Sequence, residues 1–159
     1  MSTSIPQLRR AAAQDTGGIH ALIAEVYAEY GCTLDVERDE PHLLEPAQYF
    51  RRSGGELWVV EDGGAIKGSC AVFLHRDAGE LKTLYIHRTL RRQGWGRRLV
   101  LLAMEHARRA AKPSMILWSD TRFLDAHRLY TSMGFQPMGE RELNDSNNSV
   151  EYGFTLPLT

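Results

Sequence analysis

A segment near the middle of the chain combines arginines with closely spaced glycines, between a predicted strand and a predicted helix. It covers residues 84–99 and reads LYIHRTLRRQGWGRRL. The first turn of a helix presents unpaired backbone N–H groups and the positive end of the helix dipole, and glycines let an anion approach without a Cβ in the way. Four arginines add positive charge: Arg91, Arg92, Arg97 and Arg98. The segment therefore predicts a binding site for a phosphate group.

Two common phosphate-binding loops do not match this segment. The chain contains no Gly-x-x-x-x-Gly-Lys-Ser/Thr sequence, which excludes a P-loop. A dinucleotide fingerprint needs a third glycine at the position of Leu99, after Gly94 and Gly96. The phosphate binder must therefore be of a different kind.

Two motifs in this region resemble the GNAT superfamily of N-acetyltransferases. The family signature Arg/Gln-x-x-Gly-x-Gly/Ala is met by Arg91-Arg92-Gln93-Gly94-Trp95-Gly96. The second hallmark, Ala-x-x-Leu-Tyr-x-x-x-Gly-Phe, is similar to AHRLYTSMGF at residues 126–135. The order of predicted elements from residue 5 to 157 also resembles the family, although the specific part of the match spans residues 84–135.

The resemblance implies acetyl-CoA as the acyl donor, with its pyrophosphate on the loop that opens the helix, and it implies no metal. The loop residues implied in cofactor binding are Arg91, Arg92, Gln93, Gly94, Trp95, Gly96 and Arg97. In the family, the strand carrying Leu84, Tyr85 and Ile86 splays from its neighbour at a bulge, and its free backbone groups pair with the pantetheine amides. Asp125 stands where many relatives have a polar residue near the cofactor. The ring of Trp95 is expected to cover the adenine or to pack on the outside.

Acetyl transfer from a thioester to an amine needs a neutral amine, a donor for the developing oxyanion and a proton for the departing thiolate. Tyr130 resembles the family's general acid and is also expected to contact the cofactor; the alternative is a core tyrosine beside Phe135. Glu80 is the candidate general base, with a solvated residue at a strand start as the alternative. His87 and His127 are expected to be packed or solvated histidines.

The spacing of apolar residues predicts a single α/β domain of the α+β type. Strands are predicted at residues 7–10, 56–61, 65–75, 80–87, 115–118, 135–143 and 150–156. Helices are predicted from Asp15 or Thr16 to Gly31 and at residues 47–52, 94–111 and 122–133. These elements indicate a mixed, mostly antiparallel central sheet of about seven strands flanked by helices, with an antiparallel meander over residues 56–87. The polar segment 32–46 is predicted to be a loop, long enough for a substrate lid, and Met104, Met115 and Trp118 are predicted core residues.

Charge is distributed unevenly along a chain whose formal net charge is only -1. Residues 29–62 carry nine acids and three arginines, whereas residues 88–128 carry ten basic residues and three acids. This pattern fits an enzyme that joins an anionic cofactor to a cationic amine, with two solvated faces as the alternative. The acids expected to attract the acceptor are Asp35, Glu37, Asp39 and Glu40. By resemblance to the family, residues 21–52 and the turn near Asn144 would shape the acceptor site.

Length and composition indicate one globular domain over residues 1–159, with 43% hydrophobic and 25% charged residues. The N-terminus lacks the apolar stretch of a signal peptide, and no segment approaches the roughly 20 apolar residues of a membrane span. The two cysteines suit a reducing compartment. We therefore expect a cytoplasmic protein whose partners are acetyl-CoA and an amine, and a homodimer is left open.

Two other function classes stay open at this point. One is a sensor that binds acyl-CoA without turnover. The other is a nucleic-acid-binding protein that uses the basic region 88–128, because arginine clusters also bind phosphate backbones. An isoelectric point near 6.6 and the lack of interleaved aromatic residues weigh against nucleic acid.

Overall fold

Seven strands form one sheet in the computed structural model, which describes residues 4–159. The strands are β1 (Gln7–Arg10), β2 (Glu56–Asp62), β3 (Ala65–Leu74), β4 (Gly79–Ile86), β5 (Ser114–Asp120), β6 (Gln136–Glu142) and β7 (Val150–Pro157). The helices are α1 (Thr16–Ala28), α2 (Val36–Asp39), α3 (Pro46–Arg52), α4 (Trp95–Arg109) and α5 (Leu124–Ser132). Short 3-10 turns lie at Ala13–Asp15, Pro41–Leu43 and Arg88–Leu90. Residues 1–3 of the predicted domain lie outside the described residues.

The strand order in the sheet is β1-β2-β3-β4-β5-β7-β6. Neighbouring strands pair antiparallel except β4 and β5, which are parallel. The mixed, mostly antiparallel sheet of seven strands and the β2-β3-β4 meander are therefore confirmed. The parallel contact is short, with three residue pairs: Gly79 with Met115, Glu80 with Ile116 and Leu81 with Leu117.

Helices cover both faces of the sheet. Alternate residues of β2 belong to two different hydrophobic clusters, with Trp58 and Val60 in one and Leu57 and Val59 in the other. Because alternate side chains of a strand point to opposite faces, the two clusters lie on opposite faces. The first cluster includes the apolar stripe of α4: Leu99, Val100, Ala103, Met104 and Ala107. The second includes residues of α1 and α3: Ile19, Ile23, Ala47 and Phe50.

The segment 32–46, predicted to be a loop, is partly helical. The Asp35 carboxylate accepts a hydrogen bond from the Arg38 backbone N–H at 3.1 Å and caps α2. Pro41 begins a 3-10 turn that ends at the buried Leu43. A capping aspartate and a proline in the first turn are helix-start signals. The polar composition of the segment masked them.

The prediction that Trp118 is a core residue is wrong, whereas Met104 and Met115 are buried as predicted. Along β5, Met115 and Leu117 point into the core, so strand alternation turns Trp118 to the other face. There the Arg141 guanidinium lies 4.4 Å from the centre of the Trp118 ring.

Gly79, the first residue of β4, lies at the end of the strand that pairs with β5, and there is no room for a side chain there. A Cβ on Gly79 would lie 2.8 Å from the Ala107 Cβ and 3.0 Å from the Met115 Sδ. Gly79→Ala should therefore lower the free energy of unfolding by about 1–3 kcal/mol, because α4 and β5 must shift. Gly17→Ala is the matched control, since a Cβ there meets nothing within 4 Å. Equal urea midpoints for both variants would contradict the close packing of α4 on β4.

Candidate active site

Strands β4 and β5 separate beyond Leu81 and Leu117, the last residues that pair. A bulge in β4 accompanies the separation. Thr83 has a φ of +58°, its carbonyl accepts a hydrogen bond from the Ser69 hydroxyl at 2.7 Å, and the register against β3 shifts here. In the described sheet, the edge of β4 that faces β5 therefore has no strand partner over residues 82–86. This is the splayed strand that the family resemblance implies.

The turn before α4 presents unpaired backbone N–H groups. None of the N–H groups of residues 92–97 donates a hydrogen bond to an acceptor within residues 4–159. Gly94 has a φ of +83°, and a Cβ built on it would meet nothing within 4 Å, so the surface beside it is open. Together with the positive end of the α4 dipole, these groups form the kind of anion site that the sequence predicts.

The side chain of Arg91 is already engaged within the protein. Its two terminal nitrogens donate to the Glu29 carboxylate at 2.7 and 2.6 Å, and its Nε donates to the Ile86 carbonyl at 3.0 Å. The same contact lowers the pKa of Glu29. Arg91 therefore fastens the turn to α1, whereas the exposed Arg92 and Arg97 make no ion pair among the described residues.

The other predicted cofactor residues differ in exposure. The Trp95 ring is 9% exposed and belongs to the core, so the expectation that it packs outside is wrong. The α4 stripe points inward from its first residue, which explains the burial. Gln93 is exposed, and its side-chain amide donates to the Thr89 carbonyl at 3.1 Å. Asp125 is exposed at the start of α5 and lies 3.1 Å from Arg128.

Two cavities meet at the splayed strands. The loop cavity, of about 330 Å³, is lined by the turn before α4, including Arg92, Gly94 and Gly96. The charged cavity, also of about 330 Å³, lies beside residues 80–85 of β4 and the end of β5. The two cavities share four lining residues: Leu84, Tyr85, Phe123 and Ala126. A molecule bound along β4 from the turn would therefore reach the charged cavity.

Tyr130 on α5 lines the charged cavity and is 4% exposed. Burial raises the pKa of its phenol, which stays protonated at neutral pH. Within residues 4–159, the Tyr130 hydroxyl has no hydrogen-bond partner, whereas every fully buried side-chain oxygen has one. The hydroxyl oxygen must therefore be accessible from the cavity. The ring packs edge-on against Phe135, as the core alternative expects, and the role of general acid stays a prediction.

Glu80 also lines the charged cavity, but basic side chains surround it. The His75 Nε2 lies 2.8 Å from one carboxylate oxygen, and the Lys82 ammonium lies 3.6 Å from the other. The expectation of a solvated residue does not fit, since the Glu80 side chain is only 12% exposed.

Glu40 is a site residue whose particular position the sequence did not reveal. The Tyr27 hydroxyl lies 3.0 and 2.9 Å from its two carboxylate oxygens, and the Tyr85 hydroxyl lies 3.2 Å from that of Tyr27. All three residues line the charged cavity. Burial raises the pKa of Glu40. Of the acids expected to attract the acceptor, Asp39 and Glu40 line the cavity, whereas Asp35 and Glu37 do not.

The charged cavity carries more acids than bases. Its acidic residues are Asp39, Glu40, Glu80, Asp120, Asp145 and Glu151. Its lysine and arginine residues are Arg38, Lys82, Arg122 and Arg141, and each lies within 4.0 Å of an acid. The cavity therefore favours a cation over an anion.

A set of hydrogen bonds, which we call the interloop bridge, joins two segments that each contribute residues to the charged cavity. The Thr33 backbone pairs with the Asn147 side chain at 2.9 and 2.8 Å, and the Ser146 N–H donates to Asp39 at 3.2 Å. The bridge joins residues 33–39 to the turn between β6 and β7. Both segments expected to shape the acceptor site contribute lining residues to the cavity, such as Cys32 and Asn144.

The two histidines and the basic region have structural partners. His87 is buried, with its Nε2 3.1 Å from Glu25, and His127 lies against the Ser119 hydroxyl at 3.1 Å. Burial lowers the pKa of His127. Five basic residues of region 88–128 pair with carboxylates: Arg91, Arg108, Arg109, Arg122 and Arg128. The basic region is thus partly neutralised inside the protein.

Two features are absent from residues 4–159: a cluster of metal ligands and a helix that could span a membrane. This range holds no group of three or more histidine, cysteine, aspartate or glutamate side chains that could bind a metal ion. Its helices are too short or too polar to cross a bilayer. The cytoplasmic location and the homodimer stay predictions.

Comparison with known proteins identifies the class to which this fold and site belong. The Acetyltransferase (GNAT) family model matches residues 21–135, and the chain belongs to this family. The uncharacterized N-acetyltransferase YjgM of Escherichia coli K12 is 32% identical over 137 residues, 82% of each chain. The aminoalkylphosphonate N-acetyltransferase of Salmonella typhimurium is 31% identical over 136 residues, 82% of this chain and 84% of its own.

Solved structures share the fold. A GNAT-family acetyltransferase of Staphylococcus aureus Mu50 superposes with a TM-score of 0.86 at 16% identity, covering 98% of this chain and all of its own. The putative acetyltransferase yncA of Salmonella typhimurium, solved with its cofactor acetyl-CoA, has a TM-score of 0.74 at 19% identity. It covers 97% of this chain and 94% of its own.

Proposed function

We propose that this acetyltransferase moves the acetyl group of acetyl-CoA to a primary amine of a small molecule or peptide, by direct transfer in a ternary complex. The observation that carries the proposal is the meeting of the loop cavity and the charged cavity at the splayed strands. A donor in the first cavity and an acceptor in the second would meet beside β4. The names of the two bacterial relatives support an amino group as acceptor.

The turn before α4 is the proposed site of the pyrophosphate. The free N–H groups of residues 92–97 supply the donors, and Arg92 and Arg97 supply charge without a competing ion pair among the described residues. Pantetheine amides would add to the unpaired edge of β4 at Leu84, Tyr85 and Ile86, as an extra strand does. This placement directs the thioester toward the charged cavity.

The excess of acids in the charged cavity supports an acceptor that is cationic in solution. Every lysine and arginine of the cavity already has an acid within 4.0 Å, so an anionic group on the acceptor would find no free cation among the described lining residues. Asp39 and Glu40, which line the cavity, are the two of the four expected acids that the proposal retains for attracting the ammonium group.

Tyr130 is the proposed general acid. Its phenol stays protonated until a thiolate forms, because burial raises its pKa, and its hydroxyl is open to the charged cavity. The proton would then pass to the sulfur as the C–S bond breaks. Glu80 is the base candidate that the sequence supplies, although His75 and Lys82 already bind its carboxylate.

An assay of thiol release with a panel of amines tests the proposal. We expect CoA release from acetyl-CoA to depend on the amine and initial-velocity plots to intersect, as a ternary complex requires. Parallel lines would contradict direct transfer, because they indicate an acetylated enzyme. Tight acetyl-CoA binding with slow CoA release for every amine would favour the acyl-CoA sensor instead.

Gly94→Ala tests the pyrophosphate site. The new Cβ would stand on the open surface where the phosphate approaches, so we expect acetyl-CoA affinity to fall at least about 10-fold. Gly64→Ala is the matched control, because Gly64 has a similar φ of +79° and also has nothing within 4 Å of its Cβ position, but lies in the β2–β3 turn. Both changes cost roughly 1 kcal/mol of backbone strain. Equal acetyl-CoA affinities in calorimetry would exclude the site.

Tyr130→Phe distinguishes the role of general acid from that of a purely structural core residue. The ring and its packing on Phe135 remain, and no hydrogen bond to another described residue is lost. We expect kcat to fall roughly 10- to 10⁴-fold with acetyl-CoA affinity and melting temperature nearly unchanged. Wild-type turnover with a lower melting temperature would mean that Tyr130 is structural only.

A further inference from the structure

The Glu40 carboxylate differs from the other acids that line the charged cavity. Four of them have a lysine or arginine partner within 4.0 Å: Asp39, Glu80, Asp120 and Glu151. Asp145 instead accepts hydrogen bonds from the backbone N–H and the hydroxyl of Ser149. Within residues 4–159, Glu40 forms no ion pair and has only a tyrosine hydroxyl as its side-chain partner. A partly buried anion without a counter-ion is costly, so an entering cation would be stabilised there.

Two tyrosine hydroxyls fix the orientation of this carboxylate. The Tyr27 hydroxyl has one proton, which it donates to Glu40. Tyr85 must therefore be the donor in its 3.2 Å contact with Tyr27. Burial raises the pKa of both phenols, so the chain from Tyr85 to Tyr27 to Glu40 keeps this direction at neutral pH. One hydroxyl proton cannot saturate a carboxylate with about four acceptor positions, which leaves acceptor capacity for a ligand.

We infer that Glu40 binds the ammonium group of the acceptor and takes one of its protons before the nitrogen attacks the thioester. The inference rests on the proposed function, because it names the acceptor half of that reaction. Tyr27 is a positioning residue, which acts through the carboxylate. Tyr85 lines both cavities, so it places this hydrogen-bonded chain where donor and acceptor would meet.

The proton transfers balance for this assignment. The ammonium gives one proton to Glu40, and the neutral nitrogen forms a C–N bond to the thioester carbonyl carbon. The C–S bond then breaks, and the thiolate takes a proton from Tyr130, as proposed above. The second proton lost by the nitrogen restores the Tyr130 hydroxyl, while Glu40 releases its proton to solvent. The products are the amide, the CoA thiol and one proton.

Glu80 is less suited to this role, although both carboxylates line the same cavity. The His75 ring and the Lys82 ammonium lie 2.8 and 3.6 Å from its oxygens, so an entering ammonium would have to compete with them. Glu40 has no such competitor among the described residues. Proton acceptance by Glu40 therefore breaks no existing ion pair there.

The assignment fixes the direction of a pH dependence. Burial raises the pKa of Glu40, whereas the hydrogen bond from Tyr27 and the charge of Lys82 on β4 favour ionisation and lower it. Asp39 beside it and Asp145 in the β6–β7 turn oppose ionisation. Only the ionised carboxylate accepts a proton, so kcat/KM for the amine should fall as pH drops through the Glu40 pKa. This acidic limb should lie above the ordinary glutamate value of about 4.3.

Four variants test the assignment, with n-butylamine and 1,4-diaminobutane as acceptors. Glu40→Gln should lower kcat/KM for the amine roughly 10²- to 10⁴-fold and remove the acidic limb, with acetyl-CoA affinity unchanged. Tyr27→Phe removes a hydrogen bond that favours ionised Glu40, so the limb should move to higher pH. Glu37→Gln, an exposed position on α2 outside the cavity, should match the wild type. Glu80→Gln should retain the limb.

The outcomes separate this inference from the proposed function. Wild-type kinetics in Glu40→Gln, or loss of the limb in Glu80→Gln alone, would overturn the role of Glu40 and leave acetyl transfer intact. No turnover of either amine by the wild type would count against the proposed acceptor class. Calorimetric titration with 1,4-diaminobutane then still tests amine binding, which should be at least about 10-fold weaker in Glu40→Gln. Equal binding by the two proteins would overturn the assignment.

Discussion

The parallel pairing of β4 with β5 extends over three residue pairs, and the rest of the candidate active site depends on where this pairing ends. At the paired end, Gly79 lets α4 pack directly on the sheet. At the open end, the bulge at Thr83 turns β4 away and exposes its backbone edge. The same sheet thus provides a closely packed surface at one end of β4 and a cleft at the other. The two cavities meet there because neither strand has a partner on that side of the described sheet.

The parts of the site that could be predicted from sequence are local. The turn before α4 follows directly on a strand and precedes a helix, so its free N–H groups follow from adjacent residues. Tyr130 is similarly fixed within one helix by its motif. The Glu40 cluster is different, because Tyr27 and Tyr85 are 58 positions apart in sequence and meet only when α1 lies on the sheet. In the sequence, Tyr27 lies in the helix predicted from Asp15 or Thr16 to Gly31 and gives no sign of a polar partner.

Ion pairs within the protein account for part of the uneven charge distribution of the sequence. Arg91 from the basic region pairs with Glu29 from the acidic region and joins the turn before α4 to α1. Other acids of residues 29–62 are also paired, such as Glu56 with Arg51 and Glu61 with Arg9. The charge available to ligands is therefore smaller and more localised than the sequence totals indicate. At the site, it is concentrated at the turn before α4, with its free N–H groups and the unpaired Arg92 and Arg97 of the described residues, and at the Glu40 carboxylate.

The interloop bridge joins residues that are 114 positions apart, from Thr33 to Asn147. Closing a chain segment of that length has an entropic cost that rises with the logarithm of its length. The turn before α4, in contrast, connects one strand to the helix that directly follows it, with the Arg91–Glu29 ion pair as its tie to the end of α1. The acceptor side of the site thus depends on contacts between distant segments, whereas the donor side depends on a local turn. A local opening that separates the β6–β7 turn from residues 33–39 would remove the bridge from the acceptor side without breaking any contact of the turn before α4, and native-state hydrogen exchange would register it separately.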